Sequence, residues 1–214
     1  MRGLLAGDKL PDGRELTPDI RRILGHLVAT LEHIEPEYAL TVNAPPTMGF
    51  EKELTIDLGK RVAKVLWLGR ANTGGDAVVW IDDVKTLMAG DTVVSPVPFA
   101  FGSYMSEWPG VLEKMIEMRP AVVVPGHGPV FHDTRYLETL VEMFRALTTQ
   151  VKEAAGQGLS LDDTRKRVTL DDFRSRLVGD DVFWQGGFRN AFLGPAVDRA
   201  YQEAKGALKP EVEP

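Results

Sequence analysis

Three short loops in this sequence combine glycine with residue types that bind metal ions or orient catalytic groups. They are Asn72-Thr73-Gly74-Gly75-Asp76, Gly90-Asp91 and Pro125-Gly126-His127-Gly128-Pro129. Each follows a segment with the pattern of a β-strand, so its polar side chain lies where the backbone turns. The glycines permit unusual dihedrals and close approach to a ligand. Any one of these loops also fits an ordinary turn, and only the ordered set of three indicates a site.

The ordered set resembles the metallo-β-lactamase superfamily of metallo-hydrolases, over roughly residues 46–136. In that family, a loop of the type Gly-x-x-His-Thr-x-Gly-Asp carries a histidine ligand, and this sequence has Asn72 at the histidine position. Asp91 matches the aspartate that bridges two metal ions, and His127 matches the histidine of a Pro-Gly-His-Gly loop. The resemblance implies an α/β fold: a partial αββα sandwich with additional C-terminal helices.

The family's main metal motif, His-x-His-x-Asp-His, does not occur in this sequence. The resemblance therefore implies a domain that lacks its first strands and that motif. The metal ligands that remain are Asp91, His127 and the amide oxygen of Asn72, and His132 is either a further ligand at the same rim or a surface residue. Zinc prefers about four ligands rich in imidazole or thiolate, whereas magnesium and manganese accept oxygen-rich sets. We expect a divalent ion (zinc, manganese or magnesium) or no metal at all.

The resemblance also implies roles for the residues around the ligands. Thr73 and Asp76 would orient the metal-binding groups. Arg70 would offer positive charge to an anionic leaving group or a phosphoryl oxygen. The predicted catalytic residues are therefore Asp91, His127, Arg70 and Asp76.

Short strands and amphipathic helices must position these loops. The start Thr17-Pro18-Asp19 predicts a helix whose apolar residues recur at helical spacing as far as Ile34. Further apolar patterns predict strands at 54–58, 62–67, 77–81, 84–89 and 121–124, and helices at 106–118, 133–155, 161–168, 170–177 and 190–205. Strands in the middle flanked by helices predict α/β layering. An aromatic cluster near Gly186-Gly187 lines a pocket or belongs to the core; it comprises Phe183, Trp184, Phe188 and Phe192.

The pattern predicts one domain over residues 1–214. It divides into an N-terminal loop and helix at 1–45, a β-rich core at 46–132 and a helical part at 133–214. Residues 1–16 are predicted as loop, and the polar tail 209–214 is predicted to be frayed.

Composition excludes several classes of protein. The 214 residues include no cysteine and four histidines, so there is no disulfide framework, thiolate zinc site or cysteine nucleophile. The formal charge of −6 argues against a general nucleic-acid binder. No apolar run approaches the ~20 residues of a membrane span, and no leader pattern is visible. We expect a cytoplasmic protein without membrane or nucleic-acid partners.

Loss of part of a two-sheet sandwich would uncover a sheet edge and an apolar face. Such surfaces are usually paired or covered, so we predict a homodimer, domain-swapped or not.

Two functions stay open. The first is metal-dependent hydrolysis of a small-molecule ester, above all a phosphoester, at a reduced or dimer-assembled site. The second is a catalytically inactive remnant that dimerises or binds a partner.

Overall fold

The computed structural model describes residues 5–8, 15–38, 40–42 and 44–208. The chain divides into two compact units, Met1–Gly49 and Phe50–Pro214. The predicted loop at 1–16 lies mostly outside the described residues, and the predicted frayed tail at 209–214 lies wholly outside them. The single domain predicted over 1–214 stays a prediction. Among the described residues, no helix is both long and apolar enough to cross a membrane.

The first unit contains helix α1, Pro18–Tyr38. The hydroxyl of Thr17 accepts a hydrogen bond from the Ile20 N–H at 3.4 Å, which confirms the predicted start of the helix. Ile23, Leu27 and Leu31 follow at four-residue spacing and are exposed. The helix therefore presents an apolar stripe on its surface.

The second unit is built on one five-stranded sheet. Its strands are β1 (Glu53–Asp57), β2 (Val62–Leu66), β3 (Val78–Ile81), β4 (Thr86–Val94) and β5 (Val122–His127). They lie in sequence order, with antiparallel neighbours from β1 to β4 and a parallel pair β4–β5. All five predicted strands are present, but β4 and β5 continue beyond their predicted ends at 89 and 124. Both extensions carry residues of the candidate site.

The two faces of this sheet have different surroundings. On one face Trp80, Leu87 and Val123 are buried in the core. They pack with the apolar residues of α2 (Trp108–Glu117) and α3 (Arg135–Gly156). On the other face, strand register aligns one apolar row across the whole sheet: Leu54, Val65, Val79, Met88 and Val124. None of these five is fully buried, and Met88 is 40% exposed.

Short helices complete the C-terminal part. They are α4 (Leu161–Arg167), α5 (Asp171–Val178) and α6 (Val182–Gly187), followed by a π-helical turn (Phe188–Leu193) and α7 (Gly194–Ala204). The predicted start at 190 is wrong, because Asp181 caps a helix through the Trp184 N–H at 3.1 Å. The two glycines 186 and 187 lie within this helical run. Phe188 and Phe192 belong to the core, whereas Phe183 is 60% exposed.

Candidate functional site

Strand register brings the three glycine-containing loops to the same end of the sheet. Leu66 at the end of β2 pairs with Val78 at the start of β3, so the loop 67–77 lies at this end. Val79 pairs with Met88, and β4 then runs parallel to β5 toward the same end. Gly90 pairs with Pro125, and Val94 pairs with His127. Asn72, Asp91 and His127 therefore belong to one end of the sheet.

Asp91 lies in an irregularity of β4. Between Gly90 and Val94 the strand advances by four residues, while its partner β5 advances from Pro125 to His127. Gly90 has a φ of 53°, in the left-handed region that side chains disfavour. Such a bulge changes the direction in which the next side chain points. This explains why Gly90-Asp91 has the sequence pattern of a turn although the strand continues to Val94.

Gly126 sets the spacing between β5 and Asp91. A Cβ atom at residue 126 would lie 2.1 Å from Asp91 Oδ1, 2.9 Å from the Asp91 nitrogen and 2.7 Å from the Gly90 carbonyl carbon. These distances are far inside van der Waals contact. Only glycine at this position allows the Asp91 carboxylate to lie directly against the β5 backbone.

The Asp91 carboxylate and the His127 imidazole converge. Asp91 Oδ1 and His127 Nε2 are 3.6 Å apart, and both side chains are about half exposed. This separation exceeds a normal hydrogen bond. It is close to the ~3.4 Å expected between two donor atoms that share one tetrahedral ion at bond lengths of about 2.1 Å. The separation fits both a long ion pair and two donor atoms of one metal ion.

The loop before β3 is closed by Asp76. Its Oδ2 accepts a hydrogen bond from the Thr73 N–H at 2.7 Å, and its Oδ1 accepts one from the Thr73 hydroxyl at 2.9 Å. The Ala71 N–H donates to the Thr73 carbonyl at 3.0 Å, so half-buried Asn72 lies at the tip of a tight turn. Asp76 thus holds the loop in shape. The predicted metal-ligand role of Asn72 stays a prediction.

Arg70 contacts Glu107 and Tyr104, which lie just before α2 in the chain. Its guanidinium donates to both carboxylate oxygens of Glu107 and lies over the Tyr104 ring, 4.4 Å from the centroid. Hydrogen bonding to the Glu107 carboxylate raises the pKa of Arg70 above its usual range. To meet an anionic substrate, Arg70 would have to exchange this partner, so the contacts indicate a role in tying the loop to α2.

His132 lies at the opposite end of β5 from His127. Phe131 turns back and pairs with Val123 through two hydrogen bonds of 2.8 and 2.9 Å. Four strand positions separate Val123 from His127, about 13 Å at ~3.3 Å per residue. His132 is exposed and lines a surface depression with Arg119 and Pro120. The structure therefore does not bring His132 to the rim that holds His127.

Two residues that the sequence did not single out support this end of the sheet. The Phe99 ring meets His127 edge-on, with 5.7 Å between centroids. The Tyr136 hydroxyl donates to the Val94 carbonyl at 2.7 Å, and burial raises the pKa of this phenol above its usual range. Neither residue has a distinctive local pattern, since Phe99 lies in a loop and Tyr136 follows the apolar spacing of α3.

Behind Asp91, the strand is fixed to the core. The indole N–H of Trp108 donates to the Thr92 carbonyl at 3.1 Å. Thr92 is 1% exposed, and its hydroxyl has no hydrogen-bond partner among the residues that the structure describes. A buried hydroxyl without a partner is an energetic cost next to the Asp91–His127 pair.

Asp91 and His127 could supply two donor atoms to a metal ion, which is fewer than such an ion needs from the protein. Across residues 5–8, 15–38, 40–42 and 44–208, no group of three or more histidine, aspartate or glutamate side chains could hold a metal. A structural zinc site takes four protein ligands and a catalytic one takes three. The described part of the chain therefore supplies a partial ligand set.

The sheet and its helix layer form a partial α/β fold, as the sequence predicted, and solved structures share it. Among solved structures, the stereoselective inverting sec-alkylsulfatase Pisa1 from Pseudomonas sp. is similar with a TM-score of 0.57 and 16% identity. The similarity covers 76% of this chain and 27% of the sulfatase chain. A metallo-β-lactamase from Pontibacter korlensis matches with a TM-score of 0.45 and 19% identity, over 54% of this chain and 62% of that chain.

This chain thus spans less than two thirds of the length of either solved structure. No protein-family model matches the sequence. No curated protein matches it either. The similarity at these identities concerns the fold.

Proposed function

We propose that this chain contributes to a metal-dependent hydrolase of activated esters, with phosphoesters as the main substrate class. The observation that carries the proposal is the 3.6 Å separation of Asp91 Oδ1 and His127 Nε2 at the end of the sheet. A carboxylate and an imidazole at this distance suit one divalent ion. Such an ion, when bound, polarises an ester and makes a water molecule more acidic.

The protein's own residues place and orient the two ligands. Gly126 lets the Asp91 carboxylate lie against β5, and the bulge at Gly90 sets the direction of the Asp91 side chain. His127 ends β5, where its carbonyl accepts a hydrogen bond from the Ser95 N–H at 3.0 Å. Both side chains remain accessible, so a small ester can approach them from solvent.

Further ligands come from a second copy of the chain in this proposal. Two protein ligands are fewer than a catalytic zinc site uses, and a homodimer brings two such pairs into one assembly. Sedimentation velocity at micromolar concentration should show a dimer in the presence of zinc or manganese. A monomer in the presence of either metal would contradict dimer assembly. It would not exclude a reduced metal site within one chain.

Metal binding and hydrolysis are tested together. Protein freed of metal by a chelator is titrated with Zn²⁺ and Mn²⁺ in a calorimeter. It is then assayed with the 4-nitrophenyl esters of phosphate, sulfate and acetate. We expect Asp91→Asn and His127→Gln each to weaken metal binding by at least about tenfold and to abolish metal-stimulated hydrolysis. His132→Gln is the matched control, because His132 lies at the other end of β5, and it should behave as wild type.

The alternative function is a catalytically inactive fold that binds a partner. The partial ligand set within the described residues favours it. Absence of metal binding at millimolar Zn²⁺ and Mn²⁺, together with no hydrolysis of the three esters above the uncatalysed background, would select this alternative. Equal metal binding in wild type and in Asp91→Asn would refute the proposed site.

A further inference from the structure

Two phenylalanines, Phe99 and Phe101, lie on the loop that leaves β4, and Phe99 contacts the Asp91–His127 pair. The ring of Phe99 contacts the His127 imidazole edge-on, with planes inclined by 72°. Phe101 is 66% exposed. Ala100, between them, is fully buried. Phe99 is half-buried, and the exposed Phe101 follows it two residues later on the same loop.

The loop that carries these rings is held from behind. The Ala100 N–H donates to the Ala191 carbonyl in the π-helical turn at 3.0 Å. The Arg199 guanidinium donates to the carbonyls of Ser103 and Gly102 at 2.7 and 3.0 Å. The loop backbone that carries the two rings is therefore held in place, so ligand binding there costs little loop-ordering entropy.

We infer that Phe99 and Phe101 form an apolar wall that selects esters carrying an alkyl or aryl group. This inference rests on the proposed function, because it places the ester group at Asp91 and His127 and the apolar group on the rings. With a divalent ion bound, Asp91 and His127 would engage only the polar end of such a substrate, because a bare carboxylate repels a phosphate anion. The adjacent rings offer apolar surface to its other end, so the preferred substrate is amphiphilic.

The wall is tested by binding of n-alkyl phosphates from ethyl to hexyl, titrated into the full chain with and without Zn²⁺ and followed by NMR. We expect affinity to rise about twofold for each added methylene, because an open wall covers roughly half of the surface that a closed pocket would cover. Phe101→Ala should flatten this dependence without touching His127, and Phe99→Leu should weaken it. Phe50→Ala, the same type of substitution before β1, should retain the wild-type dependence.

The outcomes separate the wall from the proposed function. Affinity independent of chain length in wild type, with and without Zn²⁺, overturns the wall, as does an unchanged dependence in Phe101→Ala. Equal loss in Phe50→Ala would show nonspecific association and also overturn it. The proposed function is contradicted if Zn²⁺ does not bind and does not change the affinity for ethyl phosphate. Even then, a chain-length dependence that is lost in Phe101→Ala supports the wall.

Discussion

Gly126 lies so close to Asp91 that no side chain fits between them: a Cβ atom at 126 would stand 2.1 Å from Asp91 Oδ1. We predict that Gly126→Ala forces β4 and β5 apart and costs about 3 kcal/mol of unfolding free energy. Urea denaturation measures this loss. Gly110→Ala is the control, because nothing lies within 4 Å of a Cβ at that position in α2. A Gly126→Ala protein as stable as wild type would show that the spacing is not fixed.

Asp76 is predicted to stabilise the loop before β3, because its carboxylate accepts two hydrogen bonds from Thr73. Asp76→Ala should cost about 1.5 kcal/mol and accelerate hydrogen exchange at the Thr73 amide. Asp83→Ala removes a carboxylate from an exposed surface ion pair with Arg61 and should have a much smaller effect. Unchanged exchange at Thr73 in Asp76→Ala would contradict the closing role.

The buried hydroxyl of Thr92 predicts a stabilising substitution. Thr92→Val keeps the shape of the side chain and removes a polar atom that has no partner among the described residues. We expect a gain of about 1 kcal/mol in thermal or urea unfolding. A loss of stability instead would reveal that the hydroxyl is satisfied in solution, for example by an internal water molecule.

Glu203 predicts a specific pH dependence of stability. Its carboxylate accepts the Ser106 N–H at 2.9 Å, and burial raises the pKa of Glu203 above its ordinary value of 4.5. A raised pKa means that the folded state binds the proton more tightly than the unfolded chain. The resulting stabilisation is fully present below pH 4.5 and is lost as pH rises through the folded pKa.

Glu203→Gln removes this dependence and keeps an oxygen that can accept the Ser106 hydrogen bond. The stability of wild type relative to Glu203→Gln should therefore fall as pH rises from 4 to 7, in urea denaturation series. Glu117→Gln, at an exposed glutamate, provides the reference for loss of one charge. If the stability difference between wild type and Glu203→Gln stays constant from pH 4 to 7, Glu203 does not contribute to the pH dependence.

The sequence predicted the helices and strands well where neighbouring residues determine them. Thr17 caps α1 as its residue type indicates, and alternating apolar residues mark the strands. The order of the loops also led to Asp91 and His127, which the sheet does bring together. Their metal-binding role stays a prediction, as do the catalytic roles of Arg70 and Asp76.

Long-range pairing accounts for what the sequence could not predict. Glu107 takes Arg70 as its partner across 37 positions, which no local pattern reveals. The strand β4 continues beyond Gly90 because β5 offers a partner after the bulge. His132 is near His127 in sequence. The chain turns back before Phe131, which pairs with Val123, so His132 lies at the other end of β5.

The order of strands in the sheet has a consequence for how the site arises during folding. From β1 to β4 each strand pairs with its neighbour in sequence, through short or moderate loops. The parallel pair β4–β5 instead requires closure of a chain segment that contains all of α2. Loop closure over a greater separation costs more entropy and is slower. Asp91 and His127 therefore meet only when the least local pairing of the sheet has formed, so their proximity would report completion of the sheet.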